Sequence, residues 1–489
     1  MSSASITGPR AGRTLVYSIA LLALLRLLSL SWYPLMDTTE ARYADVARRM
    51  LAQGDWITPW FTDGVPFWGK PPLSFWATRL GFMLFGVGEW GARLPHYLLG
   101  AGVAILVWWH ARRLSHRAAW HAVALLSGST LFLVSSGAVM TDMTMTLGNT
   151  LVMVGFWRSL HGDGLDKTTT HRAGWMIALG AVIGLLAKGP VSLVLWGLPV
   201  LAWVCWSGSL RLAWERIAWL RGALLVLALT LPWYGLAEWR TPGFLHYFLV
   251  GEHWQRFVTP GWAGDLYGSA HKFPRGSIWL FAIGASLPWS FLLPLAAWVG
   301  LARRGSLAHD APPQPAGQQA YLLMWALTPC IFFTAAGNIL WTYVLPGLPA
   351  LALLVGGWTA SRRRVRLTEG VLTTGIAAMA IGLTAFVVSG SVNDRFTNRS
   401  AKDVLLAYQA QADEGEPLYF LGKVPFSASF YSAGQARALA SLSDLASKTN
   451  DKGAWVVVDL RTWATLPPAQ REGLSVVTEK GQRMLLRWR

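Results

Sequence analysis

The chain has 489 residues, 53% of them hydrophobic and only 14% charged, with 29 Trp and a mean hydropathy of +0.37. That balance excludes an ordinary soluble globular protein and indicates a multispanning membrane protein. The formal charge of +17 does not signal nucleic acid, because basic residues gather in the connections between apolar segments and no contiguous basic and aromatic surface motif is present.

Arg10 and Arg13 precede an apolar run from Thr14 to Trp32. It is longer than a signal-peptide core and has no small-x-small site near its end, so it reads as a retained first helix. Runs long enough to cross the hydrocarbon core follow at 92–111, 118–136, 143–160, 173–188, 190–206, 218–237, 277–301, 320–336, 341–360 and 369–390. The expected fold is therefore an α-helical polytopic membrane protein with about eleven spans, thirteen at most. If the chain starts inside, every second connection is cytoplasmic and carries cations: RRLSHR (112–117), Lys167 with Arg172, Arg211 to Arg221, Arg303 with Arg304, and RRRVR (362–366). Cys205 and Cys330 fall in apolar segments and are expected to be buried small hydrophobes, with neither a disulfide framework nor a zinc site. HDAPPQPAGQQ (309–319) reads as a proline-rich linker.

The outer face receives loops at 33–91 and 238–276 and everything after about 391. The expected division is a membrane domain over 1–390 and an external α/β domain over 391–489. In the latter, PLYFLG (417–422), AWVVVDL (454–460) and MLLRWR (484–489) read as strands and LSDLASKT (442–449) as a helix.

Polar residues return repeatedly to that face. YPLMDTTEARYADVARRM (33–50) places Asp37, Glu40, Arg42 and Tyr43 just after the first span, and a continued helical turn would put Asp37 and Glu40 on one side. GKPPLSFW (69–76) holds Lys70 before two prolines, whose stiff backbone fixes the direction of its ammonium. TDMTMT (141–146) supplies Asp142, AKGP (187–190) Lys188, EHWQRF (252–257) His253 and Arg256, and WTYVLPGLP (341–349) Tyr343. Taken singly these are a helix cap, a snorkelling anchor or a solvated helix end. Gathered at one membrane boundary, carboxylates and three cations suit a lipid-linked phosphate clamped by Lys and Arg. A carboxylate beside it could take a proton from an acceptor hydroxyl or stabilise charge developing on a sugar carbon.

MDTTEARYADVARRM, GDWITPW, FWGKPPLSFW and FGVGEWGARLP (85–95) closely resemble the first outer loop of bacterial aminoarabinose transferases and their protein mannosyltransferase-like relatives. The similarity continues through Thr141–Asp142, AKGP, EHWQRF and YVLPGLP, and more loosely in SASFYSAG (427–434). The resemblance implies a C-type glycosyltransferase fold in the bacterial inner membrane, with its active site facing the periplasm. It also implies an undecaprenyl-phosphate-linked sugar donor, 4-amino-4-deoxy-L-arabinose being the family's best-known sugar, and lipid A or another envelope glycan as acceptor. By position, Asp37 matches the acidic residue regarded as catalytic, Lys70, Arg256 and Tyr343 match positions that hold the polyprenyl phosphate, and Asp142 and Lys188 match further polar positions. Many relatives carry an acidic residue directly before the lysine of KPP; Gly69 stands there in this chain, which puts a divalent metal in doubt, and no other cofactor is implied. The region after 345 holds fewer helices than the longer relatives. The competing readings are a transferase acting on another lipid-linked glycan or a protein, and a polyprenyl-phosphate flippase or transporter, which would call for charged groups on both membrane faces.

Overall fold

The computed structural model describes residues 12–161, 167–268, 273–292, 294, 317–362, 365–413, 415–445 and 453–488. The first helix, α1 (Arg13–Leu28), is mostly apolar, with Arg26 on its buried face, and is extended by a 3₁₀ turn to Ser31. With that turn it is one of six described helices long and apolar enough to cross a membrane; the others are Glu89–Ala111, Pro190–Ser207, Trp219–Arg240, Trp341–Ala360 and Val365–Val392. The protein is therefore a multi-pass membrane protein. Among the remaining expected spans, 143–160 and 173–188 lie in long helices, α7 (Thr141–His161) and α8 (Lys167–Lys188). The run 118–136 is instead broken at Gly128–Ser129 into His116–Ser127 and Thr130–Ser135. A Cβ at Gly128 would stand 2.5 Å from the Trp289 ring, so the break is where one chain passes closely over another. The run 277–301 begins as the helix Ser277–Ala285, and its part beyond 294 lies outside the described residues, as does the linker over 309–316. Cys330 is buried as expected, but Cys205 is exposed on the outside of its helix, a face that meets lipid in a membrane span.

α7 and α8 form an antiparallel hairpin with little between their backbones: a Cβ on Gly148 would lie 2.6 Å from the Gly180 carbonyl oxygen, and one on Gly155 2.9 Å from that of Ala173. Small residues allow that approach between membrane helices. Because the pair is antiparallel, the beginning of α7 meets the end of α8, and this fixes where Asp142 and Lys188 stand.

The first outer loop is largely structured. α2 (Thr39–Ala52) and α3 (Leu73–Phe85) flank a small ribbon of β1 (Trp60–Thr62) and β2 (Val65–Pro66). α2 is polar in composition yet buried along most of its length, Asp45, Arg48 and Arg49 included. Asp45 makes this tolerable by pairing with Arg48 at 2.7 Å and Arg49 at 3.0 Å, since buried charges persist only when matched.

The C-terminal part is a five-stranded mixed sheet in the order β4-β3-β5-β7-β6, built from β3 (Leu418–Leu421), β4 (Arg437–Leu439), β5 (Ala454–Asp459), β6 (Leu474–Lys480) and β7 (Arg483–Trp488). β4, β3 and β5 run parallel, and β7 and β6 complete the sheet antiparallel. The three expected strands are present, and β4 and β6 are additional. The expected helix over 442–449 is reduced to a 3₁₀ turn at Leu442–Asp444, and residues 446–449 lie outside those described. The loop after β3 and the short helix Phe426–Tyr431 reach back onto α2, where Arg49 donates to Ser429 Oγ at 3.0 Å and Arg48 to the Ala433 carbonyl at 3.1 Å.

Candidate active site

Two cavities meet between the apolar helices and the segments that connect and follow them. The larger, of about 1230 Å³, is polar and runs from Asp37 and Arg42 past Tyr267 to Trp341, and the loop Gly422–Phe426 closes one wall. The smaller, of about 330 Å³, is mainly apolar and is lined by Val191, Val194, Leu195, Leu249, Phe332 and Phe333. Lys70, Lys188, Glu252, Arg256 and Tyr343 line both. They form the junction between a chamber lined by many charged side chains and an apolar groove.

Each junction residue is placed by its own element. Lys70 stands just ahead of α3, held by Pro71 and Pro72, and donates to Glu252 at 2.9 Å. Glu252 comes from a widened, π-helical turn over Tyr247–Gln255, a local form frequent at functional sites, and Arg256 follows it directly at the start of the short α-helical turn Arg256–Val258. Arg256 Nη1 donates to both oxygens of Glu252, at 3.0 and 3.1 Å, and lies 3.3 Å from Asp265. Asn338 anchors the end of this segment by donating to the Arg256 and Thr259 carbonyls. Lys188 donates to Asp142 at 2.5 Å, with its ammonium 4.8 Å from the centre of the Tyr343 ring. Gly189 then turns the chain into the next helix at φ +83°, where a Cβ would strike the Phe248 ring at 2.5 Å; both constraints require glycine there. Burial alone would raise the carboxyl of Glu252, yet the Lys70 and Arg256 charges hold it below its ordinary range. Three cations thus face three carboxylates, Glu252, Asp142 and Asp265, in one small volume.

Asp37 lines the larger cavity, ahead of α2 rather than within it. Its backbone N–H donates to the Arg399 carbonyl at 2.9 Å, and its two carboxylate oxygens accept from Ser427 N at 2.8 Å and Ser427 Oγ at 2.5 Å. Burial pushes its carboxyl above the ordinary aspartate value, and the Ser427 bonds only partly offset this. Arg42 lines the same cavity, donates to the Tyr267 carbonyl, and lies 5.2 Å from the Tyr43 ring centre and 5.5 Å from that of Phe426. Tyr43 itself is packed edge-on against Phe67 and Phe75. His253 lines the apolar cavity, with its ring nitrogens 2.8 and 3.2 Å from the Phe248 and Lys188 carbonyls, and burial depresses its basicity.

Asp37 and Glu40 do not share one face. Glu40 lies on neither cavity wall; its carboxylate receives two bonds from Arg93, at 2.8 and 2.7 Å. Arg93 is fully buried and also donates to the Leu30, Tyr33 and Pro34 carbonyls, tying the end of the first span to α2. Glu40→Ala is accordingly expected to destabilise the protein by about 3 kcal/mol or more, read as a fall in melting temperature in detergent, while undecaprenyl phosphate binding at 20 °C below that transition stays at the wild-type value. Glu252, Asp265, Tyr267 and Ser427 are the cavity and near-cavity residues that sequence reasoning missed. The sole signal for the first was its place in EHWQRF, and for the last its place in SASFYSAG. Among the described residues no three His, Cys, Asp or Glu side chains converge as a metal site, and Gly69 offers no ligand beside Lys70.

Residues 13–248 match the family described as dolichyl-phosphate-mannose-protein mannosyltransferase. Among curated relatives, an undecaprenyl phosphate-alpha-4-amino-4-deoxy-L-arabinose arabinosyl transferase of Edwardsiella ictaluri is 32% identical over 74% of this chain and 63% of its own length. That of Pseudomonas aeruginosa strain UCBPP-PA14 is 30% identical over 77% of this chain and 66% of its own. The chain is thus similar to the bacterial aminoarabinose transferases and to their protein mannosyltransferase-like relatives. It spans about three-fifths of the length of several curated relatives it matches. The family fold agrees: the crystal structure of ArnT from Cupriavidus metallidurans bound to undecaprenyl phosphate superposes with a TM-score of 0.77 at 21% identity, covering 96% of this chain and 97% of that one. Its apo form gives 0.75 over the same shares.

Proposed function

We propose that this protein is an integral membrane glycosyltransferase that moves a sugar, 4-amino-4-deoxy-L-arabinose or one close to it, from undecaprenyl phosphate to lipid A or another envelope acceptor. The observation that carries the reading is the junction of the two cavities. An apolar groove suits the polyprenyl chain, a polar chamber suits sugar and acceptor, and Lys70, Lys188, Arg256 and Tyr343 stand where the phosphate between them would lie. Basic connections on the other side of the membrane support a reading in which this chamber faces the periplasm from the inner membrane. In this reading residues 1–390 form the transferase body and 391–489 an external domain that closes one chamber wall.

In the reaction, an acceptor oxygen forms a bond to the anomeric carbon as the bond from that carbon to the phosphate oxygen breaks, its electron pair leaving with undecaprenyl phosphate. Lys70 and Arg256 hold the phosphate and match the charge gathering on it. A hydroxyl acceptor passes its proton to Asp37; an acceptor phosphate is already ionised, and Asp37 then stabilises positive charge on the sugar carbon. In both roles Asp37 acts ionised.

The test is mass spectrometry of lipid A and total envelope glycans from cells with the wild-type protein, with Asp37→Asn, and without the protein. A pentosamine-sized addition to lipid A, absent from both controls, is the expected result. An Asp37-dependent addition to a different glycan would replace the acceptor and keep the chemistry, whereas identical glycans in all three would overturn the proposal.

A further inference from the structure

Asp37 is gripped by a residue distant in sequence. Ser427 donates its backbone N–H to one carboxylate oxygen and its hydroxyl to the other, at 2.8 and 2.5 Å, across a separation of 390 residues. The serine is fully buried and is itself fixed, because its Oγ accepts from the Ala401 N–H at 2.9 Å. It opens the short helix Phe426–Tyr431, which is held onto the first outer loop by three further contacts: Ser429 Oγ donates to Asp45 at 2.8 Å, and Tyr431 OH donates to Glu89 at 2.7 Å and accepts from the Leu35 N–H at 2.8 Å. The preceding loop, Gly422–Pro425, lines the larger cavity at the carboxyl end of β3, the end of a parallel strand where α/β sheets usually present binding loops.

Resting on the transferase reading above, we propose that Ser427 is a positioning residue: through two hydrogen bonds the C-terminal segment orients the Asp37 carboxylate toward the sugar carbon. The hydrogen-bond inventory supports this role. A carboxylate that accepts a hydroxyl and an amide on its two oxygens has lost rotation about its last torsion, and both bonds favour the charged form. On the neighbouring elements Glu40 is committed to Arg93, Glu89 to Lys402, and Asp45 to Arg48 and Arg49, while Lys423, in the loop before Ser427, lines the same cavity as Asp37. Arg483, on β7, adds a favourable field while donating to the Thr397 and Ser400 carbonyls, and Arg42, further along α2, donates to the Tyr267 carbonyl. Ser427 is therefore the only described side chain that hydrogen-bonds the Asp37 carboxylate.

The experiment uses full-length protein in nanodiscs, with 4-amino-4-deoxy-L-arabinosyl undecaprenyl phosphate as donor and lipid A as acceptor, and compares wild type, Ser427→Ala, Ser427→Thr and Asp37→Asn across pH. Ser427→Ala is expected to lower kcat about tenfold with donor KM unchanged, and to move the acid limb of the kcat/KM profile upward, because the carboxylate has lost a donor. Ser427→Thr, which retains the hydroxyl, returns the limb toward its wild-type position even if its added methyl lowers the melting temperature. A Ser427→Ala profile that coincides with wild type while Asp37→Asn is inactive would overturn this inference alone. Full turnover in Asp37→Asn would overturn the transferase assignment of Asp37 on which it rests.

Discussion

Asp37→Asn is expected to lower kcat by about three orders of magnitude, with undecaprenyl phosphate binding and melting temperature retained. The two halves of that expectation have different origins. Asp37 lines the larger cavity and pairs with neither Lys70 nor Arg256, so removing its charge leaves their phosphate clamp in place. The side-chain shape is preserved, and the Ser427 hydroxyl oxygen can accept from an amide N–H as readily as it donates to a carboxylate. Stability follows from the direction of the carboxyl shift. Burial raises its folded value above the ordinary aspartate range, so the folded protein binds that proton more tightly than the unfolded chain. Stability from this group is present at low pH and is lost as pH rises through the folded value. Near neutrality the neutral amide is therefore no burden, and the variant should melt at or above the wild-type temperature. The same shift places the acid limb of wild-type turnover above the ordinary aspartate value of 3.8. Steady-state kinetics with purified donor and acceptor, beside a thermal melt and a binding isotherm for undecaprenyl phosphate, reads all of this. Turnover within tenfold of wild type in Asp37→Asn would remove Asp37 from the chemistry.

Much of the fold could be read from the chain because the membrane imposes one rule on every span: about twenty apolar residues that satisfy their own backbone as helix. α1 with its 3₁₀ turn, Trp219–Arg240 and Val365–Val392 are runs of this kind. Where packing intervenes, reading fails, as at Gly128, whose break answers Trp289 far along the chain. Among the strands, β3 and β5 announce themselves as buried runs, while β6 is largely exposed and β4 spans three residues; neither carries a strong period to detect. The candidate site divides along the same line. Lys70, Lys188, Arg256 and Tyr343 drew attention because cations and a tyrosine at helix ends on the outer side demand a reason. Glu252, although inside a quoted motif, means little until folding brings Lys70 to it from 182 residues away. Glu40 shows the opposite failure: its spacing from Asp37 invites pairing, yet the chain turns between them and Glu40 goes to Arg93.

Arg256→Ala is expected to raise the Kd for undecaprenyl phosphate by one to two orders of magnitude, roughly the worth of one or two charge-assisted bonds, and also to lower the melting temperature. Arg256 has two jobs at the junction. Toward the cavities it offers donors with a geometry that matches phosphate. Toward the protein it neutralises Glu252, whose side chain is only 4% exposed and whose remaining cation is Lys70. Removing the guanidinium therefore leaves a buried carboxylate half-compensated, which costs about 3 kcal/mol when such a pair is broken from one side. The two effects separate in the double variant Arg256→Ala/Glu252→Gln. Making residue 252 neutral removes the uncompensated charge, so the melting temperature should recover, whereas nothing restores the lost phosphate donors and the affinity should stay low. Lys70→Ala should show the affinity loss with a smaller stability loss, because Arg256 still bonds both oxygens of Glu252. An Arg256→Ala protein that binds undecaprenyl phosphate within twofold of wild type would mean that the phosphate lies elsewhere. Recovery of affinity together with stability in the double variant would mean that Arg256 acts through the fold alone.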